Sequence, residues 1–323
     1  MESTMIEVRD LVKTYGPTRA LKGITFSVPR GQIVGFLGPN GAGKTTTMKI
    51  VTGYLRPTSG DAEIQGRPVS ADSMFTRSKI GYLPENAPLY EEMMVLEFLE
   101  FIAFLRAVPK SEQRARISAM VDACGLGDVL GKDISQLSKG FRQRVGLAQA
   151  MIHDPEILIL DEPTSGLDPN QIVEIRDLIR DLGREKTVVL STHILPEVQA
   201  TCDRAVIIND GQLVADDTLE GLTTGDGSRV RLIVGTRTGE SPDHALLSEV
   251  FGQPEAVENV LVSEDENRSA AVTVITASHA DPRRDIFDVA VANDLVLLEM
   301  RRETVSLEET FRRLTAKTGG GHA

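Results

Sequence analysis

A glycine-rich loop near the N-terminus constrains the fold of this chain more than any other feature. Residues 38–45 match the pattern G-x-x-x-x-G-K-[ST], with a short apolar run before them (32–37) and helical spacing after them (44–55). Glycines let the backbone wrap an anion with its N–H groups, and the helix N-terminus adds partial positive charge. The pattern predicts a phosphate-binding loop in which Lys44 reaches the β- and γ-phosphates and Thr45 holds Mg²⁺. A glycine-rich turn beside a solvated lysine is the alternative.

Strand and helix signals alternate beyond this loop. Residues 157–160 and 187–191 are short apolar runs typical of buried strands, and residues 169–182 between them place apolar side chains on one helical face. Strand–helix–strand alternation predicts an α/β fold with a mostly parallel, doubly wound sheet.

Other segments have different patterns. Residues 5–9 and 24–28 alternate like antiparallel strands around a turn at 16–17, and residues from Pro84 to about Ala150 are almost entirely helical. We therefore expect one large domain over residues 1–220, with an antiparallel β subdomain and a helical subdomain at about 85–150.

The composition changes after residue 220. Residues 221–228 are polar and glycine-rich, which predicts a linker. Short strands at 230–234, 270–275 and 295–299, separated by helical stretches, predict a small α+β domain over residues 229–317. Residues 318–323 are predicted to be a disordered tail.

Two carboxylates, Asp161 and Glu162, follow the apolar run at 157–160. The carboxyl ends of parallel strands border the crevice where ligands bind. Asp161 is therefore predicted to assist Mg²⁺, and Glu162 to polarise an attacking water as general base.

His193 follows the strand predicted at 187–191, beside the same crevice. A lone histidine is more often structural or solvated than catalytic. In this position, however, its imidazole could hydrogen-bond a γ-phosphate oxygen.

Residues 137–144 open a helix in which Ser138 is a suitable N-cap. A helix N-terminus with serine, glycine and basic residues is a second anion site, although for this segment taken alone a plain capped helix is favoured. The chain therefore has two candidate phosphate-binding segments but only one pair of acidic residues. This suggests that each segment is half of a site that a second copy of the chain completes.

Composition limits the class of protein. The formal net charge of −12 argues against a nucleic-acid surface, which needs a basic field. No apolar run approaches the roughly 20 residues that span a bilayer, and the N-terminus lacks a signal-peptide pattern. Cys124 and Cys202 form neither a disulfide framework nor a metal-binding spacing. These features predict a cytosolic protein.

Taken in order, the motifs over about residues 5–219 resemble the ATP-binding subunit of ABC transporters, a P-loop NTPase fold. The resemblance identifies residues 38–46 as Walker A, 157–162 as Walker B, 137–143 as the family signature and 165–168 as the D-loop. It implies that Tyr15 stacks on adenine, that Glu162 is the catalytic glutamate and that His193 is the switch histidine. The nucleotide-binding residues that it implies are Tyr15, Gly38, Pro39, Asn40, Gly41, Ala42, Gly43, Lys44, Thr45, Thr46 and Glu85.

The resemblance also implies partners. Two such domains pack head to tail, so that each ATP lies between Walker A of one copy and the signature of the other. In this chain the residues acting on the second copy's ATP would be Ser138, Lys139, Gly140 and Gln143, with Asp168 in the D-loop. Thr45, Asp161 and Glu85 would surround Mg²⁺. Closure on ATP would drive a separate integral-membrane permease, so the chain would lie in the cytoplasm against the inner face of the membrane.

Two motifs depart from the family pattern. The signature is usually Leu-Ser-Gly-Gly-Gln, whereas Lys139 and Phe141 stand here, and Glu85 replaces the switch glutamine. Both variants resemble exporter ATPases of the gliding-motility, sodium-export and multidrug-export kinds. So does the C-terminal motif at 306–311. A soluble regulatory or translation-associated ATPase of the same fold is the main alternative, and an ATP-binding scaffold without activity is another.

Overall fold

The computed structural model describes residues 3–71, 73–224, 229–254, 257–265, 269–276, 282–303 and 306–316. The chain divides into two compact units, one formed by Met1–Leu219 with the last segment from Leu314, the other by Glu220–Arg313. Within the described ranges, every helix is too short or too polar to span a membrane.

The first unit contains most of the regular structure. Its strands are β1 (Thr4–Tyr15), β2 (Thr18–Pro29), β3 (Ile33–Leu37), β4 (Ser59–Ile64), β5 (Arg67–Pro68), β6 (Ile80–Leu83), β7 (Ile157–Asp161), β8 (Thr187–Thr192), β9 (Arg204–Asn209) and β10 (Gln212–Thr218). Its helices are α1 (Lys44–Val51), α2 (Ser73–Lys79), α3 (Val95–Leu105), α4 (Lys110–Cys124), α5 (Lys139–Met151), α6 (Pro169–Gly183) and α7 (Leu195–Thr201).

A six-stranded sheet in the order β10-β9-β3-β8-β7-β6 is the centre of this unit. Strands β9, β3, β8, β7 and β6 are parallel, and only β10 runs antiparallel, beside β9. Every residue of β3, β6, β7 and β8 is buried, because helices and the second sheet cover both faces. The predicted parallel α/β sheet is confirmed, and its carboxyl edge brings the ends of β3, β7 and β8 together.

A second, antiparallel sheet in the order β2-β1-β4-β5 matches the predicted β subdomain. Gly16, with φ 54°, forms the turn between β1 and β2. Side chains of this sheet, including Val8, Leu11 and Phe26, share one apolar core with Phe36 of β3 and Met48 of α1. This packing holds the loop after β3 between the two sheets.

The segment between β6 and β7 is helical, as predicted. It contains α3, α4 and α5, with 3-10 turns at Gly127–Val129 and Ile134–Gln136. Helix α3 buries Val95, Phe98 and Leu99, whereas Phe104 and Leu105 at its end are exposed.

The second unit begins within α8 (Leu219–Thr224). It continues with β11 (Arg229–Thr236), α9 (His244–Phe251), β12 (Val257–Glu264), β13 (Ala270–Thr276), α10 (Arg283–Ala292) and β14 (Leu295–Glu303). The last helix among the described residues is α11 (Leu307–Ala316). The antiparallel sheet order β12-β13-β11-β14, with one helix after β11 and one after β13, is the split β-α-β arrangement of ferredoxin-like units. The inward side chains of β11 and β13 pack on Phe251 and Ile286.

Two predicted boundaries and one strand differ from the structure. The helix predicted over 44–55 ends at Val51, because Gly53 adopts φ 74° and the backbone turns. The linker predicted at 221–228 begins inside α8, and 225–228 lie outside the described residues, as does the tail predicted at 318–323. Strand β12 was not predicted, because its edge position leaves no alternation of buried and exposed residues.

Candidate functional site

The loop between β3 and α1 depends on glycine at defined positions. Gly41 and Gly43 adopt φ 81° and φ 110°, a region that favours glycine. A Cβ on Gly38 would overlap the carbonyl oxygen of Ile208 on β9. The loop is closed by a hydrogen bond from the Ala42 N–H to the Pro39 carbonyl, 3.1 Å long. Its backbone amides and the N-terminus of α1 can therefore face an anion.

Lys44, the first residue of α1, is only 6% exposed. Its ammonium donates to the Gly38 carbonyl at 2.8 Å and the Pro39 carbonyl at 3.3 Å. It also lies 3.5 Å from the Glu162 carboxylate. The ammonium is thus held at the mouth of the loop by acceptors that a phosphate could replace.

The two carboxylates at the end of β7 have different surroundings. Asp161 is fully buried, and its Oδ1 accepts a hydrogen bond from the Ser191 hydroxyl on β8. Its Oδ2 is buried without a hydrogen-bond partner among the described residues. A buried unpaired carboxylate oxygen is costly, and a magnesium ion or its water would satisfy it.

Glu162 contacts the side chain of His193. Its Oε1 and Oε2 lie 3.0 and 2.9 Å from His193 Nδ1, so the Nδ1–H donates to the carboxylate. The backbone of Glu162 has φ 50°, which is rare for a non-glycine residue and costs on the order of 1 kcal/mol or more. Its N–H donates to the Ser191 carbonyl at 3.0 Å, which fixes this turn to β8.

These groups surround one cavity of about 530 Å³. It is lined by Ala20, Asn40, Gly41, Gly43, Lys44, Thr45, Thr46, Glu85, Glu162, Ser165 and His193. The structure therefore brings together nine of the residues that the sequence selected, although they come from four separate stretches of chain.

The remaining predicted residues lie elsewhere. Gly38, Pro39 and Ala42 belong to the loop without lining the cavity, and Asp161 is fully buried and does not line it either. Tyr15 is 47% exposed, with the Lys13 ammonium 5.2 Å from its ring centroid.

The signature residues and Asp168 do not line the cavity of their own chain, whereas Ser165 at the start of the D-loop does. Ser138 caps α5 by accepting from the Phe141 N–H at 3.3 Å, which confirms the predicted N-cap. Ser138 and Lys139 are exposed, whereas Gln143 is buried. A Cβ on Gly140 would lie 2.6 Å from Cδ of Gln171 on α6, so a larger residue there would have to displace the Gln171 side chain.

Asp168 is the N-cap of α6 and accepts from the N–H groups of Asn170 and Gln171, each at 3.0 Å. The Lys139 ammonium occupies the space that a Cβ on Gly166 would take, and Gly166 has φ 69°. The signature and the D-loop are therefore packed against each other within the chain.

Among the described residues, no group of three or more His, Cys, Asp and Glu side chains is arranged to hold a metal ion. A magnesium ion bound with a nucleotide needs few protein ligands, because phosphate oxygens and waters supply the others. The orphaned Oδ2 of Asp161 and the Thr45 side chain at the cavity fit that kind of site.

Four residues at or near the cavity were not selected from the sequence as site residues: Ala20, Ser165, Ser191 and Glu197. Ser165 belongs to the quoted D-loop motif, which could have marked it. Ser191 ends the predicted strand at 187–191. Ala20 and Glu197 carry no local signal, because only the packing of distant segments brings them here.

Comparisons with known proteins agree with this geometry. The sequence profile of the family described as ABC transporter matches residues 21–165. An ABC transporter ATP-binding protein of Synechocystis is 39% identical over 243 residues, 72% of this chain and 68% of that one. The daunorubicin/doxorubicin resistance ATP-binding protein DrrA of Streptomyces peucetius is 33% identical over 315 residues, 96% of this chain and 92% of that one.

Solved structures show the same fold. The dimeric structure of MJ0796, a bacterial ABC transporter cassette, has a TM-score of 0.62 at 28% identity, covering 67% of this chain and all of that one. A second dimeric structure of that cassette, in a post-hydrolysis state, is bound to ADP and Pi. With relatives matched over almost its whole length, the chain belongs to the ATP-binding subunits of ABC transporters, a family of ATPases.

Proposed function

We propose that this chain is the energising subunit of an exporter, and that ATP binding closes two copies into a dimer that drives a separate membrane permease. The observation that carries the proposal is Glu162, which contacts both Lys44 and His193 at the edge of one cavity. A base, a phosphate-binding cation and an imidazole in contact are the groups that hydrolysis of a γ-phosphate needs.

Each residue has a proposed role. Lys44 and the loop amides bind the β- and γ-phosphates, and Thr45 and Asp161 hold Mg²⁺, which would neutralise the charge developing on the phosphates. Glu162 accepts a proton from the attacking water, and His193 contacts the γ-phosphate. Tyr15 stacks on adenine. Glu85 lines the cavity, and as a carboxylate it can bind Mg²⁺ but cannot donate a hydrogen bond to water.

The signature is proposed to act on the other copy's ATP. Two observations support this role. Ser138 and Lys139 are exposed at the N-terminus of α5, and neither lines the cavity of the chain to which it belongs. Dimer formation is further supported by the dimeric structures of the similar cassette MJ0796. The domain predicted over residues 1–220 would carry this whole apparatus.

A membrane partner is supported by exposed apolar side chains at the end of α3 and by Tyr54, which follows α1. Tyr54 and Phe104 are each 71% exposed and Leu105 is 57% exposed. Tyr54 and Leu105 border a cavity of about 390 Å³ that also has Arg106 in its lining. Exposed aromatic and aliphatic side chains around a cavity are typical of a protein-binding surface. The resistance function in the name of the similar DrrA favours an exporter, and placement on the inner face of the membrane would follow from binding the permease.

The test is the Glu162→Gln variant with ATP and Mg²⁺. An amide cannot take a proton from water, so hydrolysis should fall by about 100-fold or more while nucleotide binding is kept. The closed form should then accumulate, and size-exclusion chromatography with light scattering should give twice the mass of one chain.

Two lysines of α1 provide the controls. Lys44→Ala removes the buried ammonium and should abolish both ATP binding and dimerisation, whereas Lys49→Ala, on the exposed face of the helix, should change neither. A Glu162→Gln protein that binds ATP and stays monomeric at every concentration would overturn the dimer mechanism.

A further inference from the structure

Glu197 of α7 is a buried carboxylate that lies outside the cavity. It is only 4% exposed. Its Oε1 accepts a hydrogen bond from the Thr164 hydroxyl, and its Oε2 accepts one from the Thr192 hydroxyl at 2.8 Å. The described residues include no cationic side chain in a salt bridge with it.

The two threonines adjoin the two groups proposed for hydrolysis. Thr164 lies just beyond Glu162 and Pro163, and Thr192 directly precedes His193. The Thr192 hydroxyl also accepts from the Ile194 N–H at 3.1 Å, so it fixes the backbone on both sides of His193. Glu197 therefore joins the segment that carries Glu162 to the segment that carries His193.

Stability alone does not explain a carboxylate at this place. Burying a charge without a cation is unfavourable, and apolar residues of similar volume often replace buried charges without loss of stability. An ionised acceptor does, however, make stronger and shorter hydrogen bonds to hydroxyl groups than a neutral one. Such bonds hold two strand ends in a fixed relation.

We propose that Glu197 is a positioning residue, which sets the contact between Glu162 and His193 through Thr164 and Thr192. The proposal rests on the proposed roles of Glu162 and His193 in hydrolysis. Without the bridge, the two segments would lose a fixed spacing, and a displacement of about 1 Å at a reacting group can cost on the order of 100-fold in rate.

The experiment measures kcat and the Kd for ATP in three variants. These are Glu197→Ala, Glu197→Gln and the double variant Glu197→Ala with His193→Ala. Glu197→Ala should lower kcat by about tenfold or more and leave the Kd for ATP within about twofold, because Glu197 does not line the cavity. Gln can accept from one threonine and donate to the other, so it should restore most of the rate. In the His193→Ala background the Glu197→Ala change should cost no further rate.

Thr201→Val on the same helix is the matched control. Thr201 is also buried, and its hydroxyl oxygen has no hydrogen-bond partner among the described residues. This variant should keep kcat.

Two results would overturn the positioning role. One is an equal loss of rate from Glu197→Ala with and without His193, and the other is a loss that follows melting temperature across all variants. Normal hydrolysis by His193→Ala alone would contradict the proposed function itself, and the inference with it.

Discussion

At the end of β7 the carboxylate of Glu162 lies between two groups, the Lys44 ammonium and the His193 imidazole. The left-handed backbone at Glu162 turns the chain out of the sheet directly after Asp161, so neighbouring carboxylates have different surroundings. Asp161 is bound to Ser191 inside the protein, whereas Glu162 reaches the cavity. Residue identity predicted both acids, but the turn that separates them is visible only in the structure.

A second histidine has a pH-dependent effect on stability. Burial, followed by the charge of Arg106, lowers the pKa of His153 from 6.5 to about 4. Its Nε2 lies 3.1 Å from the Ile80 carbonyl and therefore donates to it as the neutral ring. In the unfolded chain His153 is protonated as the pH falls through about 6.5, whereas in the folded chain it stays neutral until about pH 4. Its contribution to the free energy of unfolding is therefore fully present above pH 6.5 and is lost as the pH drops toward 4.

We expect this loss to reach on the order of 1 kcal/mol between about pH 7.5 and about pH 5.5, measured by urea unfolding at both values. His153→Gln keeps a donor for the Ile80 carbonyl and removes the titration, so the difference between wild type and variant should shrink as the pH falls. A difference that stays constant over this range would contradict the assignment.

At the scale of elements, the N-termini of α5 and α6 lie side by side. Ser138 caps the first and Asp168 the second, and Gly140 leaves room for the Gln171 side chain between them. The Gln171 side chain in turn accepts from the Asp168 N–H at 3.4 Å, which completes a capping box. The cap residues are predictable, because they act within four residues of themselves. The contact between the two caps is not.

Removing the α6 cap should be measurable as stability. Asp168→Ala leaves two N–H groups of α6 without their acceptor and should lower the free energy of unfolding by about 1 kcal/mol. Asp168→Asn keeps a side-chain oxygen and should lose much less. Thermal unfolding of both variants checks this, and equal losses would mean that the charge rather than the cap is responsible.

At the scale of the whole molecule, the division into two compact units predicts how ATP changes thermal unfolding measured by calorimetry. All residues that line the cavity lie in the first unit. ATP should therefore raise the midpoint of one thermal transition and leave the transition of the Glu220–Arg313 unit unchanged. At a concentration about 100-fold above Kd, the added stability should be about 2.7 kcal/mol.

Lys44→Ala should abolish that shift, because it removes the phosphate-binding ammonium. A single transition that moves as a whole with ATP would show instead that the two units unfold together.

The sequence by itself determined the phosphate loop, the apolar strands beside it, the acids at the end of β7 and the capped helix at Ser138. Each is a local property, because glycine conformations, burial of a short strand and capping depend on neighbouring residues. The strand β12 was not predicted, because at the sheet edge its residues do not alternate between buried and exposed. The predicted linker at 221–228 starts inside α8.

Only the tertiary structure decided which of these parts meet. The strand order places β3 beside β8 and β8 beside β7, and this brings Lys44, Glu162 and His193 into contact. Glu197 bridges to Thr164, 33 residues away in the chain. No local pattern marks such a residue, because its role comes from two segments packing together after the chain has folded.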